Sequence, residues 1–172
     1  MRRRSAAVGS AAFLVLAPGT VAGLIPWLLT DWRWRSAPDA WIVGRIVGAG
    51  LVLAGVSFVV SAFARFVREG LGTPAPVAPP SMLVVGGVYR YVRNPMYLAV
   101  TAVIVGQALL LAQPVLLVAA AVTLAAMVAF TRLYEEPHLA RRFGEDYARY
   151  RRAVPGWWPR RRPWTPTDGS RP

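Results

Sequence analysis

NPMYLAVTAVIVGQALLLAQPVLLVAAAVTLAAMVAFT, residues 94–131, is a run of 38 residues without a formal charge. As one straight helix it would reach roughly 57 Å at ~1.5 Å per residue, about twice the ~30 Å hydrocarbon core of a bilayer. It must therefore double back. Gln113-Pro114 lies midway and supplies a polar residue followed by a proline suited to a helix start. The reading is a tight helical hairpin with spans near 97–112 and 115–131.

Two more apolar runs precede the hairpin. Residues 5–30 are uncharged, and Pro18, Gly19 and Pro26 should kink them, which lipid-embedded helices tolerate when neighbours re-satisfy the backbone. A second run covers 46–64, with Arg45 near its start and able to snorkel outward. Gly44 and Gly48 form a GxxxG, a signal for close helix approach inside the protein or between copies. It lacks the strand–turn–helix context of a dinucleotide fingerprint. The expected fold is an all-α integral membrane protein of one domain and about four spans. In order these are 5–30, 41–64, a polar loop 65–96, the hairpin 97–131 and a tail 132–172.

Composition supports a membrane chain: of 172 residues 55% are hydrophobic and 16% charged, where soluble domains of this size run nearer 45–50% apolar. The net charge is nevertheless +12, and every basic residue is arginine. Arg2–Arg4, the group Arg65, Arg68, Arg90 and Arg93, and ten arginines after residue 131 fall on one side of a four-span arrangement, while the hairpin turn is uncharged. By the positive-inside rule that side, with both termini, is cytoplasmic in a bacterial cell membrane. Attraction to anionic headgroups explains the arginines without nucleic acid. A cleaved signal peptide is the rival reading of the N-terminus, but its apolar run exceeds the usual 7–15 residues.

No cysteine is present and only one histidine, His138. That removes thiolate chemistry, disulfides and any cysteine or histidine metal cluster, and no serine motif suggests a triad. Chemistry falls to carboxylates, arginines, tyrosines, backbone groups or a bound cofactor. Two polar segments flank the hairpin. In the first, Gly86-Gly87 lets backbone approach a ligand, and Asn94-Pro95 caps and starts a helix whose N-terminus, beside Arg93, suits an anionic group. Arg90, Arg93 and the tyrosines also fit a plain interfacial belt. In the second, Glu135-Glu136 closes an apolar span, where carboxylates are costly unless paired. Arg93 or a cationic cofactor would supply the pairing; a solvated helix end is the bland alternative. Leu139, Phe143, Tyr147 and Tyr150 then mark one face of an amphipathic helix on the membrane surface, with arginines on the others. Trp157, Trp158 and Trp164 read as interfacial anchors, and His138 as an exposed histidine.

The order Gly87-Val88-Tyr89-Arg90-Tyr91-Val92-Arg93-Asn94-Pro95-Met96-Tyr97, a hairpin, then Glu135-Glu136-Pro137-His138-Leu139, Phe143-Gly144-Glu145, Tyr147 and Tyr150 resembles the isoprenylcysteine carboxyl methyltransferase family. The larger group includes the phospholipid N-methyltransferases, and the resemblance covers roughly the C-terminal half. It implies a membrane-embedded methyltransferase that uses S-adenosylmethionine without a soluble Rossmann domain. Its acceptor would be lipophilic or amphiphilic, bearing a carboxylate or an amine. By carry-over Tyr91, Arg93, Asn94, Pro95, Tyr97, Glu135 and Glu136 are the candidates for the cofactor pocket. Gly87 joins them through its backbone, and Arg93, Glu136 and Arg142 are expected in the catalytic roles, Arg142 orienting an acceptor carboxylate; no metal is expected. Best-known members carry histidine where this chain has Asn94, so that position can hydrogen-bond but not gain a proton. A nicotinamide-dependent membrane reductase and a non-enzymatic scaffold are the other readings. The sequence leaves the oligomeric state open.

Overall fold

Pro26 shows how this chain builds helices in an apolar setting. A proline has no N–H to give the carbonyl four residues back, so Ala22 loses its helical partner. The amide of Gln107, from a different helix, donates to the Ala22 carbonyl at 2.7 Å. Around this point the backbone widens into a π-turn, Thr20–Leu24, before the short helix α1, Ile25–Thr30. Pro18, Gly19 and Pro26 thus disturb the helix as their chemistry predicts, and a neighbouring helix makes good the lost bond.

The computed structural model describes residues 16–69 and 83–165; among them the architecture is all-helical. Arg2–Arg4, the start of the first apolar run and Pro74, Pro76, Pro79 and Pro80 lie outside the described residues. After α1 come α2 (Ile42–Glu69), α3 (Pro95–Leu111), α4 (Val115–Phe130) and α5 (Glu136–Ala153). The helices form two compact units: Met1–Ser81 with Met96–Ala125, and Met82–Pro95 with Ala126–Pro172.

In the first unit, α2 and α3 touch backbone to backbone. A Cβ on Gly48 would stand 2.6 Å from the Gly106 carbonyl oxygen, and one on Gly55 would stand 2.6 Å from Val103 Cγ2. Gly48 and Gly55 are seven residues apart, two turns of one helix face, so the packing seam sets Gly48 against Gly106 and Gly55 against Ala99 and Val103. Of the GxxxG read in the sequence, Gly48 serves that seam. Gly44 faces its own Trp41 ring instead, 3.2 Å from a built Cβ. The outward side chains of α2, including Ile42, Val43, Ile46, Val47, Leu53, Val56 and Val60, remain exposed, an apolar surface suited to lipid rather than water.

The hairpin turns where expected. Ala112 takes the left-handed conformation at φ 54°. The Gln113 N–H reaches the Ala108 carbonyl at 2.9 Å and the Ala112 N–H that of Leu109 at 3.4 Å, the Schellman pattern that closes a helix. Pro114 then precedes α4. The preceding loop is tied to this turn by Arg35 N–H on the Leu111 carbonyl, 3.0 Å, and by Gln113 Nε2 on the Arg33 carbonyl, 3.1 Å. Arg45 does reach out of its helix, lying 4.8 Å over the Trp34 ring and donating to the Arg35 carbonyl.

Among the described residues two helical stretches are long and apolar enough to cross a membrane, Asp39–Ala62 and Val115–Ala153. Thr20–Thr30 and Pro95–Leu111 are shorter apolar helices.

Candidate functional site

The second unit is organised by the backbone of residues 87–94. Gly87, at φ 59°, occupies a conformation that side-chain-bearing residues avoid and opens a 3-10 turn, Gly87–Arg90. The chain then meets its own returning tail, antiparallel. Arg93 N–H donates to the Pro155 carbonyl at 3.0 Å and Asn94 N–H to that of Gly156 at 3.2 Å. In the other direction Arg160 N–H reaches the Tyr91 carbonyl at 3.0 Å and Trp164 N–H that of Arg90 at 2.9 Å. Arginine side chains reinforce the pairing. Arg90 Nε donates to the Trp164 carbonyl, Arg93 Nε to Val154 and Arg160 Nη1 to Ala153.

Beneath this strap lies an apolar cluster of Tyr147, Tyr150 and Val154, packed by Leu83, Val85, Leu139, Phe143 and Trp164. The stripe expected to rest on lipid is therefore covered by the chain itself. Trp164, expected as an interfacial anchor, packs on Tyr150 with ring centroids 5.5 Å apart. Trp158 stays exposed. The helix α5 is also interrupted, at Gly144 with φ 51° and ψ −125°.

The ionic centre of the unit joins Arg93 to Glu136. Arg93 Nη1 donates to Glu136 Oε1 at 2.7 Å and to the Tyr147 hydroxyl at 3.0 Å. The two ionic side chains are only 13% and 10% exposed, so each needs the other. Arg151 closes the far side of the carboxylate, Nη2 to Oε2 at 3.1 Å. Burial pushes the Tyr147 hydroxyl pKa up, and Arg93 beside it pulls the other way. Burial raises Tyr150 further; its hydroxyl donates to the Tyr89 carbonyl at 2.8 Å.

The adjacent glutamates do different things because neighbouring residues on a helix point about 100° apart. Glu136 turns to Arg93, while Glu135 accepts from the Thr131 hydroxyl at 3.1 Å. A π-turn, Thr131–Glu135, sits between α4 and α5, a feature often found beside functional positions.

One donor here lacks a partner. Asn94 Nδ2 is buried without a hydrogen bond, and an unmet buried donor costs about 1–3 kcal/mol. It lies beside Arg93 Nη2: a Cβ built on Gly156 would be 3.3 Å from both nitrogens. Two donors facing one small space could hold an anionic oxygen group. The other buried orphan among the described residues, Arg45 Nε, belongs to a guanidinium already seated on Trp34 and a carbonyl.

The structure thus brings together Arg93, Asn94 and Glu136, with Gly87 and Pro95 shaping the backbone on either side. Tyr91 is partly exposed and joins through its carbonyl. Tyr97 stands within α3, in the first unit. Arg142 is exposed on α5, its guanidinium over the Phe143 ring at 5.5 Å, and His138 is exposed and stacked on Tyr134. Sequence reasoning missed Arg151, Arg160 and Gly156. A cleft of about 300 Å³ lies elsewhere, in the first unit, lined by Arg35, Pro38, Trp41, Leu109, Pro114 and Leu117 among others; no candidate residue lines it.

Fold and site define a helical membrane protein whose polar chemistry is gathered around an arginine–carboxylate pair beside a helix start. The sequence profile of the phospholipid methyltransferase family matches residues 43–146, well over half the chain. The chain belongs to that family of integral-membrane methyltransferases, which includes isoprenylcysteine carboxyl methyltransferase-like members. No curated protein and no solved structure matches it. The matched region contains Arg93, Asn94, Glu135, Glu136 and Arg142 and stops before Tyr147 and the returning tail.

Proposed function

We propose that this membrane methyltransferase takes its methyl group from S-adenosylmethionine and passes it to a lipophilic or amphiphilic acceptor at the membrane surface. The observation that carries the reading is the unpartnered Asn94 Nδ2 beside Arg93 Nη2. A buried donor without an acceptor, with a guanidinium nitrogen beside it, suits the carboxylate of the cofactor's amino-acid end. When bound, the cofactor supplies an electrophilic methyl on a sulfonium sulfur. The protein's contribution is then positioning and field, which requires none of the cysteine or metal chemistry that the composition leaves out.

The residues divide that work. Arg93 and Asn94 hold the anionic end. Glu136 serves as the counter-charge that keeps Arg93 fixed, since Arg93 and Arg151 occupy both of its oxygens. Either glutamate, Glu135 or Glu136, would serve as base for an amine acceptor, which must lose a proton before attack; a carboxylate acceptor needs no base at neutral pH. Arg142, exposed and unpaired with any acid, would orient a carboxylate on the acceptor. Gly87, Tyr91 and Pro95 complete the cofactor-side set. Four spans, with both termini and the site on the cytoplasmic face, fit the distribution of arginines.

The test is transfer of labelled methyl from S-adenosylmethionine to a total membrane lipid extract by the detergent-purified protein. Label in an extractable amphiphile, lost with Asn94→Ala, is the expected result. Absence of transfer to any fraction, with saturable binding of a nicotinamide cofactor, would replace the reading with a reductase.

A further inference from the structure

We infer that the returning tail is a wall of the cofactor site and that Gly156 keeps open the seat for the cofactor's carboxylate; this rests on the reading just given. The segment lies outside the family-matched residues, yet it holds the two key residues of the site by main-chain bonds. Pro155 and Gly156 carbonyls take the N–H groups of Arg93 and Asn94, and the Val154 carbonyl takes Arg93 Nε. These bonds fix where Arg93 and Asn94 begin, and they leave Arg93 Nη2 and Asn94 Nδ2 facing the α-carbon of Gly156.

Glycine is not required there by the backbone. The positive-φ glycines are Gly87 and Gly144, and Gly156 is not among them. Space is what the position supplies. Gly156 is buried, and the three atoms nearest a Cβ built on it all belong to Arg93 and Asn94, the two nitrogens at 3.3 Å. A methyl group would therefore occupy the place where two donors converge, while every carbonyl of the strap stayed available. A serine would go further and offer its hydroxyl oxygen to the unpartnered Asn94 donor, replacing the ligand with a fixed internal group.

The experiment compares the wild type, Gly156→Ala and Gly156→Ser, each as the full chain in detergent. S-adenosylhomocysteine is titrated calorimetrically beside 5′-methylthioadenosine, which shares the nucleoside and thioether but lacks the amino-acid carboxylate. The inference expects both variants to lose at least tenfold in S-adenosylhomocysteine affinity and to hold 5′-methylthioadenosine within twofold of the wild type. Gly156→Ser should melt no lower than the wild type. Affinities for both compounds falling together, or neither changing, would overturn the inference while the cofactor reading stood. A wild type that binds neither compound would overturn the cofactor reading and the inference with it.

Discussion

The two units meet the same difficulty, polar groups in apolar surroundings, in opposite ways. In the first, Gln107 is spent on mending backbone: its amide nitrogen caps the Ala22 carbonyl that Pro26 leaves open, and its oxygen accepts from the Trp32 indole at 3.0 Å. Glycines then let the helices close until no space is left. In the second, two arginines are spent on the carbonyls of a returning tail and one from the tail on the end of α5, an ion pair sits nearly dry, and a donor is left unmet. A region built only for stability would satisfy Asn94; leaving it open makes sense where a ligand supplies the missing acceptor. The contrast marks the second unit as the one that holds the candidate site.

The sharpest way to break this contrast is at the ion pair. Glu136→Gln leaves Arg93 without its counter-charge in a place almost closed to water, and should destabilise the second unit by about 3 kcal/mol. Arg151, more than half exposed, should give under ~1 kcal/mol as Arg151→Gln. Denaturation followed by Trp164 fluorescence, with the other tryptophans replaced by phenylalanine, reads both. Equal losses would mean that the pair is not the buried keystone described above.

The glycine seam offers the matching test in the first unit. Gly48→Ala drives a methyl against the Gly106 carbonyl and should cost about 1–3 kcal/mol. Gly50, on the same helix but with nothing within 4 Å of a built Cβ, should gain up to ~1 kcal/mol as alanine. Thermal melts of the two variants in one detergent decide whether packing, rather than glycine content, sets the stability.

Raised pH should act on the second unit. Tyr147 and Tyr150 hold their protons in the fold above the ordinary tyrosine value of 10.0, whereas an unfolded chain releases them there. The stability they contribute is fully present below pH 10 and declines as pH rises beyond it. Tyr150→Phe should flatten that decline, and at neutral pH should lose about 1 kcal/mol with its bond to the Tyr89 carbonyl. A stability profile between pH 7 and 11 checks both statements. An effect of similar size is expected at the hairpin: Ala112→Gly relieves a left-handed alanine and should raise stability by about 1 kcal/mol, measured by the same melts.

Much of this was legible in the sequence. The uncharged stretch and Gln113-Pro114 fixed the hairpin, Asn94-Pro95 marked the start of α3, and Pro26 announced a broken helix. The cost of a carboxylate at the end of a span raised the pairing of a glutamate with Arg93 as one reading, beside a cationic cofactor and a solvated helix end, and the structure has Glu136 on Arg93. The packing seam was half visible, because Gly48 belongs to the GxxxG read in the sequence whereas Gly55 and Gly106 gain their partners only when the helices meet. The strap was not visible. Its bonds run from arginine and backbone N–H groups to carbonyls, which every residue has, and arginine runs read equally well as headgroup contacts. Trp164 likewise carries the same signal in a core as at an interface. Only folding shows that Gly156 stands beside Asn94.

The most direct measurement pairs the melting temperature of the protein without ligand with its affinity for S-adenosylhomocysteine, in the wild type and in Asn94→Ala. Removing an unmet buried donor should leave the melting temperature equal or higher while affinity falls at least tenfold. An Asn94→Ala protein that melts lower and binds as tightly as the wild type would show that Asn94 serves the fold, and would contradict the account of this site.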